Sequence, residues 1–187
     1  MSSLNSWFNK GLTKEEYIGS MQKHKDSLES IYERFQLKEQ DKAEITSIKE
    51  KKLRAIVLTA DWCGDAMVNL PILMRIAEDA NIDTRYLIRD ENLELMDQYL
   101  TNGTARSIPI FIFINQNGEE VSKWGPRAPK VQAFVDELRN TIPAKEDPAY
   151  EASFHLFIES VTSRFTTDEV LWNHIKDDIK NTIQKID

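Results

Sequence analysis

The run Arg54-Ala55-Ile56-Val57-Leu58-Thr59-Ala60 narrows the choice of fold more than any other segment. It is short, nearly continuously apolar and rich in β-branched residues, as a strand covered on both faces requires. Just after Cys63 the spacing becomes helical, with Met67, Leu70, Leu73, Met74, Ile76 and Ala77 on one side. Thr84 to Ile88 reads as a second strand. Residues 93–100 read as a short helix, stopped near Asn102-Gly103. Ile110-Phe111-Ile112-Phe113-Ile114 is a third strand. Asn117-Gly118 then turns the chain into a fourth, about 119–124. Pro129 to Thr141 is a helix with Val131, Phe134, Val135 and Leu138 on one face. The order from 54 to 141 is β-α-β-α-β-β-α. Strands parted by helices become parallel neighbours, and the Asn-Gly turn makes an antiparallel pair. The expected class is α/β, a four-stranded mixed sheet flanked by helices.

Helical extensions flank this core. Thr13-Lys14-Glu15-Glu16 is a capping box. Tyr17, Met21, Leu28, Ile31 and Phe35 behind it predict one amphipathic helix over about 13–36, and a polar helix follows at about 39–51. A loop with Pro143 and Pro148 leads to two C-terminal helices. The first carries the stripe Tyr150, Phe154, Phe157, Ile158 and Val161. In the second, Leu171, Ile175, Ile179 and Ile183 recur every four residues behind a second capping box, Thr166-Thr167-Asp168-Glu169. The expected organisation is an N-terminal helical extension at 1–49, a core at 50–141 and a C-terminal helical extension at 142–187 packing on that core. The alternative use of the stripes is a partner surface, which would make a homodimer.

A length of 187 residues fits one embellished domain, and 41% apolar with 29% charged residues fits a soluble globular chain. A net charge of −7 argues against nucleic acid or an anionic membrane as partner. No run approaches the roughly 18 consecutive apolar residues of a spanning helix. The first eleven residues have no signal-like pattern. A single cysteine gives no internal disulfide, so a reducing, cytoplasmic setting is expected.

That cysteine, Cys63, lies in Ala60-Asp61-Trp62-Cys63-Gly64-Asp65-Ala66, between the first strand and the first core helix. The stretch resembles the active-site turn of the thioredoxin family. Pro71 matches the proline that kinks the family's active-site helix. Ile108-Pro109, after Arg106-Ser107, resembles the Ile-Pro beside its reactive cysteine, where the proline is cis. Gly118 and Gly125 also fall where the family has glycines. The resemblance covers about 50–141. It is closer still to a bacterial branch whose site reads Trp-Cys-Gly-Asp followed by Cys or Ala. Asp90-Glu91-Asn92, Leu95-Met96-Asp97 and Trp124-Gly125 with Arg127 share that likeness. Three positions depart from the thioredoxin pattern. Ala66 stands where the second cysteine would be, Asp65 where a proline would be, and Val57 where a buried aspartate assists proton transfer.

The resemblance implies a site built on Cys63 as nucleophile, with Trp62, Gly64, Asp65, Ala66, Ile108 and Pro109 forming its motif and groove. Trp124 and Arg106 are candidate substrate contacts. A lone thiolate can attack a disulfide, but an external thiol must then release the mixed disulfide. The expected activity is monothiol thiol–disulfide exchange in redox homeostasis. Its partners would be a protein disulfide or mixed disulfide and a low-molecular-weight thiol, with the substrate held as an added strand near Pro109. The alternative is a non-catalytic peptide-binding module with a vestigial site. The helix N-terminus favours a thiolate, whereas Asp61 and Asp65 oppose it, and the sequence leaves the net sign open. Asp65 is also a candidate helix cap. Arg106 and Arg127 fit either solvated charge or the binding of an anionic thiol. No cofactor is expected. Iron–sulfur binding by Cys63 would need a dimer and added thiols. His24, His155 and His174 are scattered without ligand spacing, so no metal is expected.

Overall fold

The computed structural model describes residues 3–186. In chain order its elements are α1 (Leu4–Lys10), α2 (Lys14–Ser20), α3 (Lys25–Arg34), α4 (Glu39–Lys49), β1 (Arg54–Thr59), α5 (Gly64–Ala80) and β2 (Asp83–Ile88). After a 3-10 turn at Arg89–Glu91 come α6 (Leu93–Met96), β3 (Ile110–Ile114), β4 (Glu120–Trp124), α7 (Pro129–Arg139), α8 (Tyr150–Thr167) and α9 (Glu169–Gln184). The sheet order is β2-β1-β3-β4. β1 and β2 are parallel, with Val57 opposite Tyr86, and β3 is antiparallel to both β1 and β4. This is the expected mixed sheet. Every residue of β3 is buried, and so is β1 from Ala55 onward, as their unbroken apolar runs demand. α5 crosses the core, with Ala66 to Met74 wholly buried and Pro71 inside it.

The N-terminal segment departs from the single helix expected over 13–36. The capping box of Thr13 and Glu16 does form, but α2 stops at Ser20 and α3 restarts at Lys25, with His24 left-handed at φ 57°. The two halves serve different surfaces. Tyr17 stacks on Tyr86 of β2 at 5.1 Å between centroids, and its hydroxyl meets Thr59 Oγ1 at 3.1 Å. Leu28 and Ile31 are buried on α3, which packs on α5. One straight helix cannot reach both. Asp61 holds the break by accepting the N–H groups of Gln22 at 2.7 Å and Lys23 at 3.1 Å. Just before α2, Leu12 pairs with Tyr86 through reciprocal 2.8 Å backbone bonds on the outer edge of β2. A paired edge is closed to further strands.

Two further boundaries move. α6 ends at Met96 rather than near residue 100, and Tyr99 beyond it reaches Glu120 of β4 with its hydroxyl at 2.6 Å. The box expected at Thr166–Glu169 does not form. Thr166 and Thr167 stay inside α8 and donate back to Thr162 and Ser163 carbonyls, while Asp168 caps α9 by accepting from Val170 and Leu171. Leu171, Ile175, Ile179 and Ile183 are all buried, and α9 packs on α5, α7 and α4. Beneath it Asp41 of α4 takes Lys176 at 2.9 Å and Lys180 at 3.0 Å in a buried ionic cluster. On α8, Phe157 is buried while Phe154, Leu156 and Ile158 are exposed.

Candidate functional site around Cys63

Cys63 is the N-cap of α5 (φ −86°, ψ 118°). Its sulfur accepts the Ala66 N–H at 3.5 Å and donates its S–H to the Ile108 carbonyl at 3.4 Å. The side chain is almost covered, with 8% of the residue exposed. Asp65, the other candidate cap, faces elsewhere. Its two carboxylate oxygens take Arg127 Nε at 2.6 Å and Nη2 at 2.7 Å. The carboxylate is committed to a guanidinium, and the cap falls to the sulfur.

Burial pushes the Cys63 thiol above its ordinary value of 9.0. The Ala66 N–H pulls the other way, Asp65's charge adds to the rise, and the Asp65 N–H and Arg127 offset part of it. Burial wins because a desolvated thiolate gains little from weak, long donors. The S–H bond to Ile108 also favours the protonated form. The sign that sequence left open is therefore upward.

The Ile108–Pro109 peptide is cis, and so is Gly125–Pro126. Gly125 has φ 124° and lies directly against Pro109, where a Cβ would overlap the Pro109 carbonyl oxygen. Only glycine suits both the dihedral and the approach. Next to it, the Pro126 carbonyl accepts from Asn69 Nδ2 of α5 at 3.2 Å. Asn69 is fully buried, and its Oδ1 has no hydrogen-bond partner. The turn after β4 thus touches the Pro109 turn on one side and α5 on the other, and Cys63 lies between those elements.

A thioredoxin family model matches residues 11–139. The chain belongs to the thioredoxin family. The match begins before α2, so the family's segment includes the N-terminal helices α2–α4. Two solved structures share the fold. One is a protein of unknown function from Pseudomonas aeruginosa, 18% identical with a TM-score of 0.65, covering 87% of this chain and 96% of its own. The other is an HIV epitope scaffold, 17% identical with a TM-score of 0.62 and the same coverage. Comparison with the curated proteins gives no match.

Within the thioredoxin frame, Cys63, Asp65 and Ile108 line one pocket of about 330 Å³ together with Trp62 and Arg106. Trp62 is 44% exposed and carries the Arg89 guanidinium 4.6 Å over its ring. Arg106 holds Asp97 through bonds of 2.6 and 2.8 Å. Trp124 is placed elsewhere. It stacks on Phe111, donates to Asp178 at 2.7 Å and lines a separate concavity with Tyr99 and Lys123. Gly64 has open space around its Cα, and Ala66 is buried beneath the cap. Val57 is buried in β1. Arg89 and Arg139 also line the Cys63 pocket. Neither lies in a recognisable motif, and only the fold brings them there. A larger cavity, about 620 Å³, is at the other end of β1 beside Lys52 and Arg54, remote from the sulfur. Among the described residues no three His, Cys, Asp or Glu side chains are grouped to hold a metal, and no helix is long and apolar enough to cross a membrane.

Proposed function

We propose that the protein carries out monothiol thiol–disulfide exchange in a reducing, cytoplasmic setting. The observation that carries this reading is the position of the Cys63 sulfur. It caps a long helix, touches the carbonyl that precedes Pro109, and has no second cysteine in the chain to close an internal disulfide. Deprotonated Cys63 attacks the adduct sulfur of a mixed disulfide between a protein and a small thiol. The new bond is Cys63–S–S–R, and the protein sulfur leaves as a thiolate and takes up a proton. A second molecule of R–SH, as thiolate, attacks the R sulfur. That step forms R–S–S–R and returns Cys63. Overall the protein sulfur is reduced to a thiol and one free small thiol is oxidised, the other half of R–S–S–R coming from the adduct itself. The raised thiol makes attack slow at neutral pH unless the incoming chain displaces the S–H bond to Ile108.

The test is release of a peptide thiol from its mixed disulfide with 2-mercaptoethanol, in the presence of excess free 2-mercaptoethanol. The Cys63→Ser variant should lose the catalysed rate, and mass spectrometry should trap one adduct on the wild-type chain. Equal rates for the two proteins would end the proposal.

The burial of Cys63 favours a second reading, a peptide-binding module that makes no use of the thiol. Its mark would be peptide affinity unchanged in Cys63→Ala.

A further inference from the structure

We infer that the pocket beside Cys63 is a carboxylate-binding site that receives the small-thiol half of the mixed disulfide. This rests on the exchange reading above and narrows it to thiols bearing carboxylates. Four arginines from four separate segments are among the residues that line the same 330 Å³ pocket as Cys63. Arg89 comes from the turn after β2, Arg106 from the loop before β3, Arg127 from the loop after β4 and Arg139 from the last turn of α7. Among the described residues Asp65 is the only acid lining the pocket. In a chain with 31 acidic and 24 basic residues, that inverts the overall balance.

The groups are not all spent on one another. Arg127 is committed to Asp65 and Gln132, and Arg89 to Asp90 and the Arg106 carbonyl. Arg106 uses Nε and Nη2 on Asp97 and keeps Nη1 free of partners among the described residues. Arg139 has no ion-pair partner among the described residues, and its guanidinium lies 5.8 Å from the Phe157 ring. Two arginines with unspent donors are thus left among the residues lining the pocket that Cys63 also lines. Guanidinium groups match carboxylates in geometry and charge. A pocket of this volume suits a small molecule rather than a folded partner. A small thiol disulfide-bonded to Cys63 would place carboxylates within this cluster.

Two measurements test it, both at low salt. The first compares wild-type exchange on one uncharged peptide thiol capped either with mercaptosuccinate, a dicarboxylate, or with neutral 2-mercaptoethanol. The dicarboxylate adduct should react at least about tenfold faster, and Arg139→Gln with Arg106→Gln should bring the ratio towards one. The second titrates reduced wild-type protein with S-methyl mercaptosuccinate, which cannot exchange, by calorimetry. Binding should appear, weaken with salt and vanish in the double variant. Binding without exchange of either adduct would uphold the pocket and overturn the exchange reading. Exchange at equal rates with no thioether binding would overturn the pocket and leave the exchange reading standing. Binding or preference that survives in the double variant would overturn the assignment to these arginines.

Discussion

Arg127 grips both carboxylate oxygens of Asp65, at 2.6 and 2.7 Å, two residues along the chain from the Cys63 sulfur. Their charges act on Cys63 with opposite sign, Asp65 raising the thiol and Arg127 lowering it. Asp65→Asn should leave Arg127 unopposed and speed alkylation of Cys63 by iodoacetamide near pH ~7.5, by roughly three- to tenfold. Arg127→Gln should slow it by a similar factor. Indifference to both substitutions would mean that the sulfur does not feel the pair.

The raised thiol also makes stability depend on alkaline pH. Burial first, then the Asp65 charge, hold the folded Cys63 above 9.0, so the folded chain keeps a proton that the unfolded chain has already lost. Its contribution is therefore intact below the ordinary thiol range and drains away as pH rises towards the folded value. The slope over that window is about 1.4 kcal/mol per pH unit. Urea unfolding from neutral pH to about pH 10 should show the wild type losing ground to Cys63→Ser. Tyr17, pushed up to about 12 mainly by burial, is common to both proteins, and only the smaller part owed to the Cys63 charge differs between them.

Two glycines near the site should behave in opposite ways. Gly125→Ala places a methyl on the Pro109 carbonyl at a φ of 124°, and should cost about 3 kcal/mol and depress exchange. Gly64→Ala meets nothing within 4 Å in the first turn of α5, and should be neutral or gain about 0.5–1 kcal/mol. Chemical denaturation of the two variants separates them. Equal losses would show that crowding at Pro109 does not matter.

Asp41 joins α4 to α9. Burial works against its charge, but hydrogen bonds from Lys176 and Lys180 outweigh it and hold the carboxyl below 3.8. Stability from this group is present above the ordinary carboxylate range and is lost as pH falls through the folded value. Asp41→Ala removes the carboxylate that the two buried ammonium groups share, leaving Lys176 to Asp177 and Lys180 to Glu44, and should cost about 3 kcal/mol. Unfolding curves at neutral pH and below pH ~4 would check both statements. The variant should be much weaker at neutral pH, with a flatter acid limb.

The core was readable because its signals are local. Two apolar runs, an Asn-Gly turn and helical spacing behind Cys63 require only neighbours in the chain, and they specified the strands and their class. Where the reading failed, the deciding partner was remote. Nothing in 13–36 announces that Tyr17 must meet Tyr86 while Leu28 turns towards α5, so the helix break at His24 had no local signature. Thr166 resembled a cap because the sequence does not reveal that its hydroxyl would be taken by the preceding turn. At the site, Cys63 and Pro109 stood out through their motif. Arg89 and Arg139 did not, since only the convergence of four segments brings these arginines to the Cys63 pocket.

The sulfur of Cys63 is also the first fastening of α5, the helix that runs through the middle of the molecule. A disulfide formed at that sulfur would replace its S–H and end the donation to the Ile108 carbonyl, so the sulfur that accepts the Ala66 N–H would be held differently. A thiol joined to Cys63 would therefore alter how firmly the central helix is started, and the whole fold would share the effect. The melting temperature becomes a gauge of the sulfur's state. Candidate thiols can then be ranked by thermal shift before any protein substrate has been found.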